Sequence, residues 1–138
     1  MDWTELGRLN ASTLCTIGAH TITHPSLARL NREDAAREME ESALRIAENM
    51  GARPKHFAYP HGGPGDAGPR EFTIARELGF QSAVTTRPGV VHTDHADHMT
   101  ALPRISVNGL FQQQRYLDVL LSGAPTLLKN RFRRVNAA

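Results

Sequence analysis

The sequence predicts an α/β fold with a mostly parallel sheet. Three observations predict it: short β-prone runs alternate with helical stretches of ten or more residues, a Gly or Asn punctuates most boundaries, and the polar motifs fall where strands end. In parallel α/β folds, chemistry gathers at the edge where strands run out into loops. The chain has 138 residues, the size of one domain, and 40% apolar composition is enough for a packed core.

In order, "WTELGRLN" (3–10) reads as a short helix, with Trp3, Leu6 and Leu9 at three-residue spacing. "STLCTIGAH" (12–20) reads as a buried strand leading into a histidine loop, with Cys15 as a buried thiol. Pro25 suits the start of a helical turn, "PSLARL", since it lacks an N–H that would be unpaired there. The clearest helix runs from Glu33 to Met50. Asn31 serves as N-cap, Glu33 and Asp34 face the positive end of the dipole, and Gly51 stops the helix. Its apolar stripe is Ala36, Met39, Ala43, Ile46 and Met50, and Glu33–Arg37 and Glu41–Arg45 are i,i+4 pairs on the wet side.

"HFAYP" (56–60) is a short strand, and "HGGPGDAGP" (61–69) is too rich in Gly and Pro to be other than a loop. "REFTIARELG" (70–79) is a second helix and "FQSAVTT" (80–86) the next strand. "RPGVVHTDHADHMT" (87–100) reads as a loop, and "ALPRISV" (101–107) contains a further strand. Asn108 caps a last helix through Phe111, Leu117, Leu120 and Leu121, and 124–138 reads as a basic C-terminal tail.

Composition narrows function. Cys15 is the only cysteine, which excludes an internal disulfide and a cysteine zinc site. No window approaches the roughly 20 apolar residues of a membrane span. The N-terminus lacks a secretory pattern, so the chain as it stands reads as cytoplasmic. Net charge is only +2, so the basic excess is local, in "KNRFRR". With Phe132 as its one aromatic, that run reads as a solvated tail, and no nucleic-acid partner is expected.

Two motifs carry chemistry. In "GAHTITHP" (18–25), His20 and His24 are four apart, a spacing that lets two imidazoles converge on one ion. A pair alone equally suits surface or capping histidines, because a catalytic zinc needs a third protein ligand. In "FAYPHGG" (57–63), Tyr59 and Pro60 end a strand, and Gly62 and Gly63 let backbone approach a ligand. N–H groups after such a bend suit an oxyanion, although a plain turn with a packed tyrosine gives the same pattern.

"GAHTITHPSL", an acidic helix and "FAYPHGG", with 32 residues (25–56) between the second histidine and Phe57, together resemble the NodB-type polysaccharide deacetylases, carbohydrate esterase family 4. The resemblance implies a distorted (β/α)7-type barrel and removal of N- or O-acetyl groups from sugars with a divalent metal, most readily zinc. It implies His20 and His24 as metal ligands, the Tyr59 backbone N–H as oxyanion donor, and Pro60, His61 and Gly62 as substrate-binding residues. Arg104 is the expected orienter of the catalytic base, and His98 the expected general acid. The expected partner is an acetylated oligo- or polysaccharide, and the family is often secreted or periplasmic.

The sequence departs from the family in one respect. The family's Asp-Asp motif, source of the base and a carboxylate ligand, has no counterpart, and no two aspartates are adjacent anywhere. The expectation is a partial barrel lacking its first strand or strands, forming a single C-terminal portion (1–138) of such a domain. Such a chain is expected to be impaired in catalysis, with a homodimer covering the open edge; the alternative is a non-catalytic, self-associating or metal-binding remnant.

Overall fold

The computed structural model describes residues 1–107, 109 and 113–135. Helix α1 (Trp3–Asn10) opens on a capping box: the Glu5 N–H donates to the Asp2 carboxylate at 2.8 Å, and the Asp2 N–H to Glu5 at 2.9 Å. The long helix α2 (Arg32–Met50) starts where the Asn31 side chain accepts from the Asp34 N–H. It stops at Gly51, whose φ of 77° is the left-handed conformation that glycine adopts without penalty. A 3-10 turn (Leu27–Arg29) precedes it, near the place Pro25 indicated.

Strands β1 (His56–Ala58), β2 (Ser82–Pro88) and β3 (Leu102–Arg104) form a parallel sheet in the order β1-β2-β3. His56–Ala58 pairs in register with Ser82–Val84, and the β2–β3 register shifts between Val84 and Pro88. Helix α3 (Pro69–Glu77) connects β1 to β2, as a βαβ unit requires. Its buried Glu71 accepts from the Gly68 N–H at 2.8 Å and from Arg70 at 2.6 Å, so the carboxylate is both capped and paired. The core lies where Phe57 and Tyr59 of β1 meet Phe72, Phe80 and the α2 face, with ring centroids 5.1–5.4 Å apart.

Several expectations change. "STLCTIGAH" is not a strand: only Ala19 bridges to Phe57, and Cys15 is half-buried. Of the predicted α2 stripe, Met39 and Ala43 are buried and Ala36 and Ile46 pack half-buried against the core, while Ala35 and Ser42 complete the buried face. The Glu33–Arg37 and Glu41–Arg45 pairs give way to Arg37–Asp34 and, across the fold, Arg53–Glu40 and Arg32–Glu77. The 87–100 loop is partly ordered: β2 continues through Pro88, and 3-10 structure spans Thr93–Ala101.

The expected last helix divides into α4 (Gln114–Leu121) and α5 (Ala124–Lys129) around Gly123, at φ 75°. The proposed cap Asn108 and Phe111 lie outside the described residues. Within the expected tail, α5 occupies 124–129 and Asn130 donates to the Pro88 carbonyl at 2.8 Å, while 136–138 lie outside the described residues. Among the described residues, no helix is long and apolar enough to cross a membrane.

Candidate active site

The site is built at the C-terminal edge of the sheet. Ala19 is tied to β1 by two bonds, Ala19 N–H to His56 O at 2.8 Å and Ala58 N–H to Ala19 O at 2.9 Å. His20 leaves that edge directly. Its Nδ1 lies 2.6 Å from the Ala58 carbonyl. A carbonyl only accepts, so Nδ1 carries the proton and Nε2 is left with its lone pair, the arrangement that suits a metal-ligating histidine.

His24 stands edge-to-face against His20 with centroids 4.8 Å apart, and against His61 at the same 4.8 Å. The fold thus brings together two imidazoles from the first motif and one from the second, 37 residues later than His24 (61 − 24). Thr21, His24 and His61 have φ of 62°, 58° and 58°, left-handed conformations that residues with a Cβ rarely adopt. Each such residue costs of order 1–3 kcal/mol, and such strain clusters at functional sites. Among the described residues, however, no group of three or more His, Cys, Asp or Glu side chains is placed to enclose an ion.

The loop is clamped from α2. The Glu38 carboxylate accepts from the Ile22 N–H at 2.9 Å, the Thr23 N–H at 2.9 Å and the Thr23 hydroxyl at 2.7 Å. Burial pushes the Glu38 pKa up, but the hydrogen bonds from Thr23 and Ile22, helped by Arg37, outweigh it and hold the carboxyl below the ordinary glutamate range. Beside His61 lies a cleft of about 410 Å³ lined by Pro25, Ser26, Arg29, Leu30 and Asp66. There the Ser26 hydroxyl donates to Asp66 at 2.8 Å.

Tyr59 does not present its N–H as expected. Successive N–H groups along a strand point to opposite edges. The Ala58 N–H bonds to Ala19, so the Tyr59 N–H points the other way and donates to Val84 O on β2 at 3.1 Å. The Gly62 N–H is also engaged, with Pro60 O at 2.6 Å, whereas the His61 N–H has no hydrogen-bond partner among the described residues. The Tyr59 ring is buried, its hydroxyl donates to Thr100 O at 2.7 Å, and burial, with the nearby Glu71 charge, raises its pKa far above the usual phenol. Pro60 is fully buried beneath the bend. Gly62 is obligatory there: at φ 65°, an added Cβ would sit 2.8 Å from the Thr86 nitrogen.

Two expected residues stand apart from the imidazoles. His98 lines a groove of about 470 Å³ with Phe72, Arg76 and Asp97, between α3 and the 3-10 segment, a groove that none of the three imidazoles lines. Arg104 is exposed at the end of β3, the same sheet edge but two strands from β1, or about 10 Å at ordinary strand spacing. Its side chain makes no hydrogen bond or ion pair among the described residues.

Sequence reasoning passed over Glu38, Asp66 and Arg87. Glu38 looks like any acid on the wet face of α2, and Asp66 like a turn residue in a Gly-Pro loop. Arg87 is buried in β2, where it lies 5.2 Å from the Phe72 ring centroid and donates to Ala67 O at 2.8 Å; burial lowers its pKa. Only the alternation along β2, which turns Ala83, Thr85 and Arg87 inward together, signals it.

The parallel-sheet fold that carries this histidine loop and Tyr-Pro bend is similar to that of solved deacetylases and of a family 4 carbohydrate esterase, which are hydrolases. The chain belongs to the polysaccharide deacetylase family, whose model matches residues 1–83. None of the curated proteins matches it. Among solved structures it is similar to the Streptococcus pyogenes deacetylase PplD in complex with acetate (TM-score 0.77, 20% identity, 87% of this chain and 50% of that one). It is also similar to IcaB from Ammonifex degensii (0.68, 24%, 86% and 51%) and to a polysaccharide deacetylase from Bacillus cereus (0.73, 20%, 88% and 36%). At these identities the likeness shows the fold, and the chain spans about half or less of each of these structures.

Proposed function

We propose that this chain carries the imidazole side of a metal-dependent deacetylase site acting on acetylated oligo- or polysaccharides. The observation that carries the reading is the contact of His20, His24 and His61 on left-handed backbone at one sheet edge. His20 and His24 would hold the cation, and two neutral imidazoles suit zinc. The fit rests on the His20 tautomer, fixed by Ala58 with Nε2 left as donor. When bound, a divalent cation supplies Lewis acidity toward an acetyl carbonyl and a more acidic water.

The chain's own groups do the rest. The His61 N–H, rather than that of Tyr59, is the donor at the bend for a developing oxyanion. Gly62 keeps the bend free of a side chain, and the adjoining cleft receives the sugar. With no aspartate pair in the sequence, acetate release by this chain is expected to be weak. Loss of a general base typically costs 10²–10⁴-fold.

The test has two arms. Calorimetry with Zn²⁺ is expected to show a site that His20→Ala and His24→Ala abolish. Acetate release from an acetylated chito-oligosaccharide is expected to fall far below that of a family member carrying the aspartate pair. Absence of any Zn²⁺ site dependent on His20 and His24 sinks the reading.

A second reading, self-association, is favoured by apolar exposure on α4, on α5 and just after it. No residue of α4 is buried, and Val119, Leu121, Leu128 and Phe132 are all more than half exposed. Light scattering that finds only monomer up to high micromolar concentration removes it.

A further inference from the structure

We propose that Glu38 is the positioning residue that sets the affinity of the histidine loop for its cation; this rests on the metal-site reading above. Three donors from two consecutive residues, Ile22 N–H, Thr23 N–H and Thr23 Oγ1–H, converge on this one carboxylate at 2.7–2.9 Å. Those residues lie midway between His20 and His24. The clamped pair is flanked by the left-handed residues Thr21 and His24. A backbone in that conformation persists only where its surroundings over-determine it. Local bonds contribute, from the Thr21 hydroxyl to His20 O at 2.6 Å and from the His24 N–H to Thr21 Oγ1 at 3.2 Å.

Those two bonds are internal to the loop and move with it. Among the described residues, Glu38 is the helix side chain that hydrogen-bonds the loop, seventh of the 19 residues of α2 and far from either fraying end. The carboxylate is suited to the task because one of its oxygens accepts both N–H groups and the other accepts the Thr23 hydroxyl. A glutamine at 38 can keep both N–H bonds with its oxygen and donate its NH2 to the Thr23 hydroxyl, losing only the charge, whereas an alanine removes all three contacts. The chain from α2 through Glu38 to Thr23 therefore fixes the direction of the His24 ring. The bond from Ala58 fixes that of His20. Glu38 touches neither ring and would not touch substrate.

The experiment is Co²⁺ titration of the full chain, followed by calorimetry and by the visible d–d bands. His20→Ala/His24→Ala serves as the blank, subtracting any binding by the His92–His98 segment. Glu38→Ala is expected to weaken Co²⁺ binding by about 10–100-fold and to alter the d–d bands, and Glu38→Gln to give a smaller loss in the same direction. Thr23→Val, which deletes only the hydroxyl contact, is expected to give a smaller loss. Glu41→Gln, an exposed acid of the same helix, is expected to change nothing. Wild-type affinity and spectrum in both Glu38 variants overturn the inference while leaving the metal site standing. No Co²⁺ binding by the wild type overturns both.

Discussion

The Nδ1 of His20 lies 2.6 Å from the carbonyl oxygen of Ala58, a bond spanning 38 positions of chain that joins the two motifs into one edge. It determines which ring nitrogen is available. Nitrogen-15 spectra of neutral His20 are expected to show the Nδ1–H tautomer, and added Zn²⁺ to perturb Nε2. A predominant Nε2–H form would contradict this orientation.

Gly62 and Gly7 make a matched pair. Gly62→Ala forces a Cβ against the Thr86 nitrogen at 2.8 Å and Tyr59 O at 3.1 Å on a left-handed backbone. It is expected to destabilise by about 1–3 kcal/mol in urea denaturation. Gly7 sits inside α1 with nothing near its missing Cβ, so Gly7→Ala is expected to stabilise by about 0.5–1 kcal/mol. The same sign for both would contradict the backbone argument.

Tyr59 predicts an alkaline limit. Burial raises its pKa in the folded chain, so the unfolded state loses the phenolic proton first as pH rises. The contribution is whole below about pH 10, the unfolded value, and declines above it. Tyr59→Phe is expected to flatten this decline. It also leaves Thr100 O without its 2.7 Å partner, at a cost of about 1–3 kcal/mol near neutrality. Urea midpoints of both proteins from pH 8 to 11 check both effects.

His95 predicts the acid limit. It is buried; its Nδ1 accepts from the His92 N–H at 3.1 Å, and its Nε2 has no partner. Burial lowers its pKa, and the neighbouring His92 and His98 charges add to that, against a backbone contact with His92 and the Asp94 charge. The unfolded chain therefore takes up this proton first as pH falls. Stability is full above about pH 6.5 and falls below it, by at most about 1.4 kcal/mol per pH unit for one proton. His95→Gln is expected to reduce the slope of urea stability between pH 7.5 and 5.5; an unchanged slope excludes His95 as its source.

Much of the scaffold was legible because its signals are local. Asn31 and Gly51 bracket α2, and Gly79 follows α3, each through its own backbone chemistry. The imidazole cluster was half legible: the spacing of His20 and His24 shows in the sequence, whereas the approach of His61 depends on β1 pairing with Ala19. Register is what the sequence leaves open, and it decided Tyr59. Which edge its N–H faces follows from strand parity, not from the motif. The roles of His98 and Arg104 rest on the family resemblance without a motif at either position, and a loop containing 3-10 structure carries His98 to another groove. Glu38 needed a contact between a loop and a helix 15 positions away, for which composition offers no cue.

The alternating edges of β1 also bear on how such a domain tolerates changes of length. The Gly-Pro stretch after His61 can gain or lose residues while the bend keeps its anchors. A single residue inserted among His56, Phe57 and Ala58 would instead exchange the groups facing Ala19 and β2, turn the aromatic side chains outward and rotate the histidine-bearing bend to the wrong side. Lengthening is thus graded in one segment and all-or-none in its three-residue neighbour.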